Sequence, residues 1–309
     1  MCWGEKGNSM VWAMLCGFGA AMVNSAGYLF NARFLLLFKS PVRLLAVATF
    51  LMMLIALPLM LIFFPFGVLP CWWKYILQAV LASVLFLAGQ GCFFAAMRYF
   101  EASRIASLLG LKIIVLSLLF IVTGGRLNWM QLSAVIIAAA AGMIFNRAGN
   151  TPVSWRGWVF ILLTLVFYSS VDMVETDLVV KMNKYSQTGT FYSSFLVVTL
   201  IYTILGLITL PLLVKMKTGG RELLEGVPYA VLWLLSQILL FACFSNLKPV
   251  FGNVILATRG VFSVIAGLLL PYMGLAALDS KISMRIWVRR IIAALMMVGA
   301  IAIYSFGSM

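Results

Sequence analysis

The chain of 309 residues is 64% hydrophobic and only 10% charged, with a mean hydropathy of +1.10. A soluble domain carries about 25% charged residues, so this composition excludes a water-facing surface and indicates an integral membrane protein, with room for about ten spans of roughly 20 residues. Lys and Arg total 22 against 8 acidic residues, net +14, and histidine is absent, which excludes His-ligated zinc sites, His general bases and Ser-His-Asp triads.

Ten apolar runs follow one another: residues 10–30, 42–64, 75–97, 102–123, 129–145, 157–180, 190–214, 228–246, 249–272 and 286–304. The first follows the polar start Met1-Cys2-Trp3-Gly4-Glu5-Lys6. It exceeds the roughly 7–15-residue core of a secretion signal and is taken as a transmembrane helix. All ten are continuous, without the alternation of membrane-barrel strands, so the expected fold class is all-α. Connections are short and leave no room for a soluble domain.

Pro58 falls inside the second run, Pro211 late in the seventh and Pro271 late in the ninth. Such breaks are tolerated where neighbours or water satisfy the freed carbonyls. Trp72, Trp73, Trp129, Trp155, Trp287 and Tyr304 sit near run edges, as an interfacial aromatic belt does. The clusters Gly17-Phe18-Gly19-Ala20-Ala21, Gly89-Gln90-Gly91 and Ala138-Ala139-Ala140-Ala141-Gly142 allow close helix packing. The five cysteines show no CxxC spacing, and those inside apolar runs are taken as packing residues.

A shift of 147 positions superposes Gln90 on Gln237, Phe94 on Phe241, Ala95 on Ala242, Leu109 on Leu256 and Lys112 on Arg259. Lys112 and Arg259 are also the two basic residues near the middle of a run. This predicts two five-helix repeats, residues 1–150 and 151–309. Fourteen of the 22 basic residues fall on the odd-numbered connections and six on the other side. The positive-inside rule then puts the odd connections in the cytoplasm and both termini outside. Five spans per repeat is an odd number, so the second repeat lies inverted, as in many secondary transporters.

A charge at the bilayer centre costs at least about 2.5–3.5 kcal/mol and needs a partner, water or a ligand. Lys112, Arg259, Gln90, Gln237, Asp172 and Glu175 are therefore the leading substrate-binding candidates, Asp172 and Glu175 sharing one helix face at i and i+3. Asn24, Tyr28, Tyr168 and Asn253 are further pocket candidates. Two readings coexist. Lys112 and Arg259 form buried ion pairs with Asp172 and Glu175, or they attract an anionic group in a hydrated cavity between the repeats.

From Phe93-Phe94-Ala95-Ala96-Met97-Arg98-Tyr99-Phe100-Glu101-Ala102-Ser103 on to Gly142, and again from Phe241 to Gly299, the layout resembles the drug/metabolite transporter superfamily, in particular its ten-helix EamA-like permeases. Gly124-Gly125-Arg126-Leu127 departs from that pattern, lacking the acid frequent after the glycine, and Lys112 and Arg259 lie where a proline is common. The resemblance implies a pocket lined by the first, third, fourth, sixth, eighth and ninth helices, which carry all six leading candidates. It also implies cytoplasmic termini, against the loop charges. Phosphate-ester translocators of the superfamily use buried Lys and Arg, which favours an anion.

The expected function is a secondary transporter of a small organic, anionic or zwitterionic metabolite in the cell (plasma or inner) membrane, multi-pass, working by alternating access. Its partners are the small-molecule substrate, the lipid bilayer and a coupling proton or counter-substrate, in a monomer or homodimer. No nucleic acid, cofactor or metal is expected. The alternatives are a drug or lipid exporter (flippase) of the same fold and, further off, a channel or a membrane-embedded enzyme. An enzyme would need a nucleophile, base or metal cluster that the chain does not display.

Overall fold

The computed structural model describes residues 3–65, 72–96, 99, 109–146 and 155–256, and the single positions 258, 259, 262, 288, 292, 295, 296, 299, 300 and 303. Every regular element among them is helical. They are α1 (Trp3–Phe38), α2 (Pro41–Phe63), α3 (Trp72–Ala96), a 3-10 turn (Leu109–Leu111) leading into α4 (Lys112–Val122), α5 (Trp129–Asn146), α6 (Trp155–Ser186), α7 (Thr190–Lys215) and α8 (Gly220–Leu256).

Six helices, α1, α2, α3, α6, α7 and α8, are long and apolar enough to cross a membrane; α4 and α5 are shorter apolar helices. Eight helices rather than ten thus stand among the described residues. The ninth expected span begins inside α8, and most of its remainder and most of the tenth, with Pro271, lie outside the described residues. Large apolar side chains face outward, with Ile62 71% and Val122 82% exposed. Such faces suit acyl chains rather than water, and the chain is compatible with an integral membrane protein.

Helix edges follow local chemistry. Ser40 caps α2, its hydroxyl accepting from the Arg43 amide at 3.3 Å, and Pro41 fills the first helical position, where no amide is needed. Asn128 and Gln131 form a reciprocal capping box before α5, Asn128 Oδ1 accepting from the Gln131 amide at 2.8 Å and Gln131 Oε1 from the Asn128 amide at 3.0 Å. α4 ends in a Schellman motif: the Gly124 amide donates to the Ile121 carbonyl and the Gly125 amide to the Phe120 carbonyl. Gly124 has φ 88°, a conformation that suits a residue without Cβ. Lys248 (φ 68°, ψ 153°) breaks α8 before Pro249, where the eighth and ninth spans are expected to part.

The chain forms two compact units. One comprises Met1–Val84 and Met173–Asn246, the other Leu85–Asp172 and Leu247–Met309, so each draws on both halves of the sequence. In the first unit α2 and α7 run antiparallel. Tyr192 OH donates to the Phe63 carbonyl at 3.3 Å near one end, and the Thr49 and Thr209 hydroxyls meet at 2.6 Å further along. Gly206 makes the close approach possible, because a Cβ there would stand 2.8 Å from the Thr49 carbonyl oxygen. Phe34, Leu44, Ala46, Val47 and Leu213 form a core cluster.

In the second unit Ala96, Ile161 and Leu165 form the buried cluster, covered by Phe93, Leu109, Leu111, Val115 and Phe160. Gly89 lies under the Tyr168 ring, whose carbons would be 2.7 Å from an added Cβ. Serine and threonine hydroxyls in both units bond carbonyls one turn back, such as Ser83 to Ala79 at 2.9 Å and Ser117 to Ile113 at 2.7 Å. Buried hydroxyls are thereby satisfied inside apolar helices.

Candidate functional site

The second unit brings together four expected residues, the Asp172 carboxylate with Lys112 and Asn253, and Tyr168 against Lys112. Asp172, on α6, is 5% exposed. Lys112 Nζ lies 2.7 Å from Asp172 Oδ2, and Asn253 Nδ2 donates to the same oxygen at 2.6 Å. The other amide hydrogen of Asn253 goes to the Pro249 carbonyl at 2.9 Å. Two acceptors at one nitrogen fix the orientation of the amide. Tyr168, one turn before Asp172, turns its ring to Lys112, with Nζ 5.9 Å from the centroid, a cation–π distance. Phe86 stacks on Tyr168 with centroids 6.1 Å apart.

Backbone irregularities lie beside these groups. Lys112, expected near the middle of the fourth span, is the first residue of α4, directly after the 3-10 turn. Leu111 makes no side-chain cap there. A cation is unfavourable at a helix N-terminus, so Asp172 supplies the compensation that the helix start does not. Ser169 Oγ reaches the Lys112 carbonyl at 3.5 Å. Asn253 follows the Lys248 break by five residues, on the short helical stretch opened by Pro249.

Of the two central cations, Lys112 is thus held by an acid, as one of the two readings of it has it. Arg259 lies half-buried in the same unit, and Gln90 half-buried on α3. Glu175 is 4% and Gln237 8% exposed, both in the first unit. Asp177, near the end of α6, is exposed and meets Lys181 at 2.5 Å and Gln78 at 2.7 Å.

Asn24 and Tyr28 are also in the first unit, on α1 facing α8. Asn24 Nδ2 donates to Ser236 Oγ at 3.3 Å, and Ser236 Oγ donates to the Ala20 carbonyl at 3.2 Å. Tyr28 meets Trp233 edge-to-face at 6.5 Å, and Trp233 Nε1 donates to Tyr202 OH at 2.6 Å. Ser236, Trp233 and Tyr202 are not among the expected site residues. Their only sequence signal is spacing: Trp233 and Ser236 sit one turn apart beside Gln237.

Two further ion pairs among the described residues lie outside the expected set. Arg33 meets Glu225 at 3.0 Å and Arg43 meets Glu222 at 2.5 Å. They tie the α1–α2 connection to the first turns of α8, so the first and seventh connections share one end of this unit. Among the described residues no group of three His, Cys, Asp or Glu side chains is placed to hold a metal ion.

No family model and no curated protein matches the chain. A protein of known crystal structure superposes on it with TM-score 0.64 at 15% identity, covering 95% of this chain and 96% of that one. Similarity at that identity extends to the fold alone.

Proposed function

We propose that the protein is a secondary transporter that moves a small organic anion or zwitterion across the cell membrane by alternating access of two inverted five-helix repeats. One observation carries the reading: Lys112, Asp172 and Asn253 form a buried polar cluster in an apolar helical chain, with Lys112 at a helix start and Asn253 just past a helix break. A buried ion pair contributes little to stability compared with well-packed apolar groups. Discontinuous helices carrying polar groups are typical of transporter binding sites.

The cluster supplies a simple cycle. The carboxylate or phosphate of a solute takes the place of Asp172 on Lys112 Nζ. Asn253 keeps Asp172 in position, and a proton or the cationic end of a zwitterion neutralises the displaced carboxylate. Loss of the solute re-forms the pair. The exchange keeps each buried charge compensated in both states, which lowers the barrier to reorienting the site.

The test is counterflow in proteoliposomes, screened with carboxylated and phosphorylated metabolites. Saturable counterflow is expected from the unmodified protein, loss of it from Lys112→Ala, and partial retention in Lys112→Arg. Full counterflow in Lys112→Ala would overturn the assignment.

A further inference from the structure

Asn24 is 3% exposed and its Oδ1 is buried without a hydrogen-bond partner. The orientation of the amide is fixed: the hydroxyl proton of Ser236 goes to the Ala20 carbonyl, so Ser236 Oγ is an acceptor towards Asn24 and must face its Nδ2. Oδ1 is thereby left as an orphan carbonyl oxygen. Asn31, seven residues on and therefore on the same face of α1, also has a buried Oδ1 without a partner. The two oxygens are separated by about 10 Å of helix rise, and Tyr28 stands between them.

Buried acceptors without donors are rare in native proteins and call for a physical explanation. Here two share one helix face, and the surroundings are aromatic. Tyr28 is exposed and meets Trp233 edge-to-face, and Tyr229 lies 5.6 Å from Trp233 between ring centroids. Neutral carbonyl oxygens beside π-faces attract a cation that carries N–H donors. They offer nothing to a carboxylate.

We infer that the face of α1 bearing Asn24, Tyr28 and Asn31, with Trp233 of α8, binds a primary ammonium group. Asn24 Oδ1 accepts one N–H, and the Tyr28 and Trp233 rings flank the charge. Asn31 Oδ1 is a second acceptor one step along the same stripe. The site lies within the first unit and does not depend on the transport reading. The ammonium belongs either to a soluble amine or to an amine-bearing lipid headgroup.

Benzylamine is the probe, with benzyl alcohol and phenylacetate as neutral and anionic counterparts. Thermal unfolding and Trp fluorescence are followed for the full-length protein in nanodiscs of phosphatidylcholine, whose headgroup has no N–H, and of phosphatidylethanolamine. A rise in Tm with benzylamine in phosphatidylcholine identifies a soluble amine. A higher Tm in phosphatidylethanolamine, with no benzylamine response, identifies the headgroup. Asn24→Leu is expected to abolish whichever response occurs. Ser236→Ala, which removes the contact that fixes the Asn24 amide, is expected to weaken it. The inference is overturned if neither amine produces a response, if phenylacetate matches benzylamine, or if Asn24→Leu keeps the response. Should Asn24→Leu fail to fold, Asn24→Asp serves instead: its carboxylate strengthens the amine response, and an unchanged response rejects the site.

Discussion

Lys112 and Asp172 form an ion pair with Nζ and Oδ2 2.7 Å apart, 17% and 7% of the two side chains being exposed. Removing Asp172 leaves the half-buried Lys112 cation without this partner. Asp172→Ala should therefore cost about 3–5 kcal/mol of stability, whereas replacing both partners with apolar groups should cost less, about 1–3 kcal/mol, from the buried Asn253 N–H that loses its acceptor. Thermal or denaturant unfolding of Asp172→Ala and of the double variant Lys112→Met, Asp172→Leu checks this. The double variant is expected to fold and to lose counterflow, which separates the packing role of the pair from its transport role. If it unfolds as readily as Asp172→Ala, the pair is integral to the fold.

This pair was half legible in the sequence. A lysine and an aspartate inside apolar segments stand out because desolvation is costly, so their burial and need for partners follow from residue type. Which acid meets Lys112 does not follow, because Asp172 and Glu175 share a helix face. The choice is made by tertiary packing sixty residues away. The long spans were legible because an apolar run in lipid has few alternatives to helix. α6 runs past its apolar run through Lys181, Asn183 and Lys184 to Ser186, whose hydroxyl bonds the Met182 carbonyl at 2.9 Å. Arg33 and Arg43 carry no mark distinguishing an ion pair from a topology charge. The capping box of Asn128 and Gln131 is readable as a spacing. The orphan oxygen of Asn24 is not, because it depends on what Ser236 does with its single proton.

Gly206 and Gly91 are both helical glycines, and they should respond oppositely to alanine. At Gly206 a Cβ would meet Met53 and stand 2.8 Å from the Thr49 carbonyl oxygen, which is backbone and cannot step aside. Gly206→Ala should separate α2 from α7 at a cost of about 1–3 kcal/mol, the usual penalty for overpacking. At Gly91 nothing lies within 4 Å of the added carbon. Gly91→Ala should then stabilise by up to about 1 kcal/mol through helix propensity. Unfolding of the two variants side by side provides the check, and equal effects would reject the close α2–α7 approach.

The two Arg–Glu pairs should differ in strength and in salt response. Glu222 has a side chain 10% exposed, and its second oxygen accepts from the Gly219 amide at 3.3 Å, at the start of α8. It therefore joins a charge-assisted bond to a helix-start contact. Glu222→Gln is expected to cost about 1.5–3 kcal/mol. Arg33 and Glu225 are 42% and 22% exposed, and Glu225→Gln should cost under about 1 kcal/mol. Unfolding at low and high ionic strength distinguishes them: added salt erodes the Arg33–Glu225 contribution and leaves most of that from Arg43–Glu222.

The same two pairs bear on orientation. They hold the α1–α2 connection and the start of α8 at one end of the first unit, so Lys39 and Lys217, both at turns with positive φ, lie at that same end. The orientation expected from the loop charges would turn that end to the cytoplasm. Lys184, near the end of α6, and Gln187, at the turn into α7, precede the start of α7, where Tyr192 bonds the end of α2, and they lie at the opposite end of the unit. In a background with the native cysteines replaced, single cysteines at Lys39 and Lys217 should resist a membrane-impermeant maleimide in intact cells and react after permeabilisation. A cysteine at Gln187 should react in both conditions. The reverse pattern would give the chain cytoplasmic termini, in line with the superfamily it resembles. Mixed labelling of Lys39 and Lys217 would instead break the geometric link made by the two arginines, because residues fixed to one end of a helix bundle cannot face both compartments.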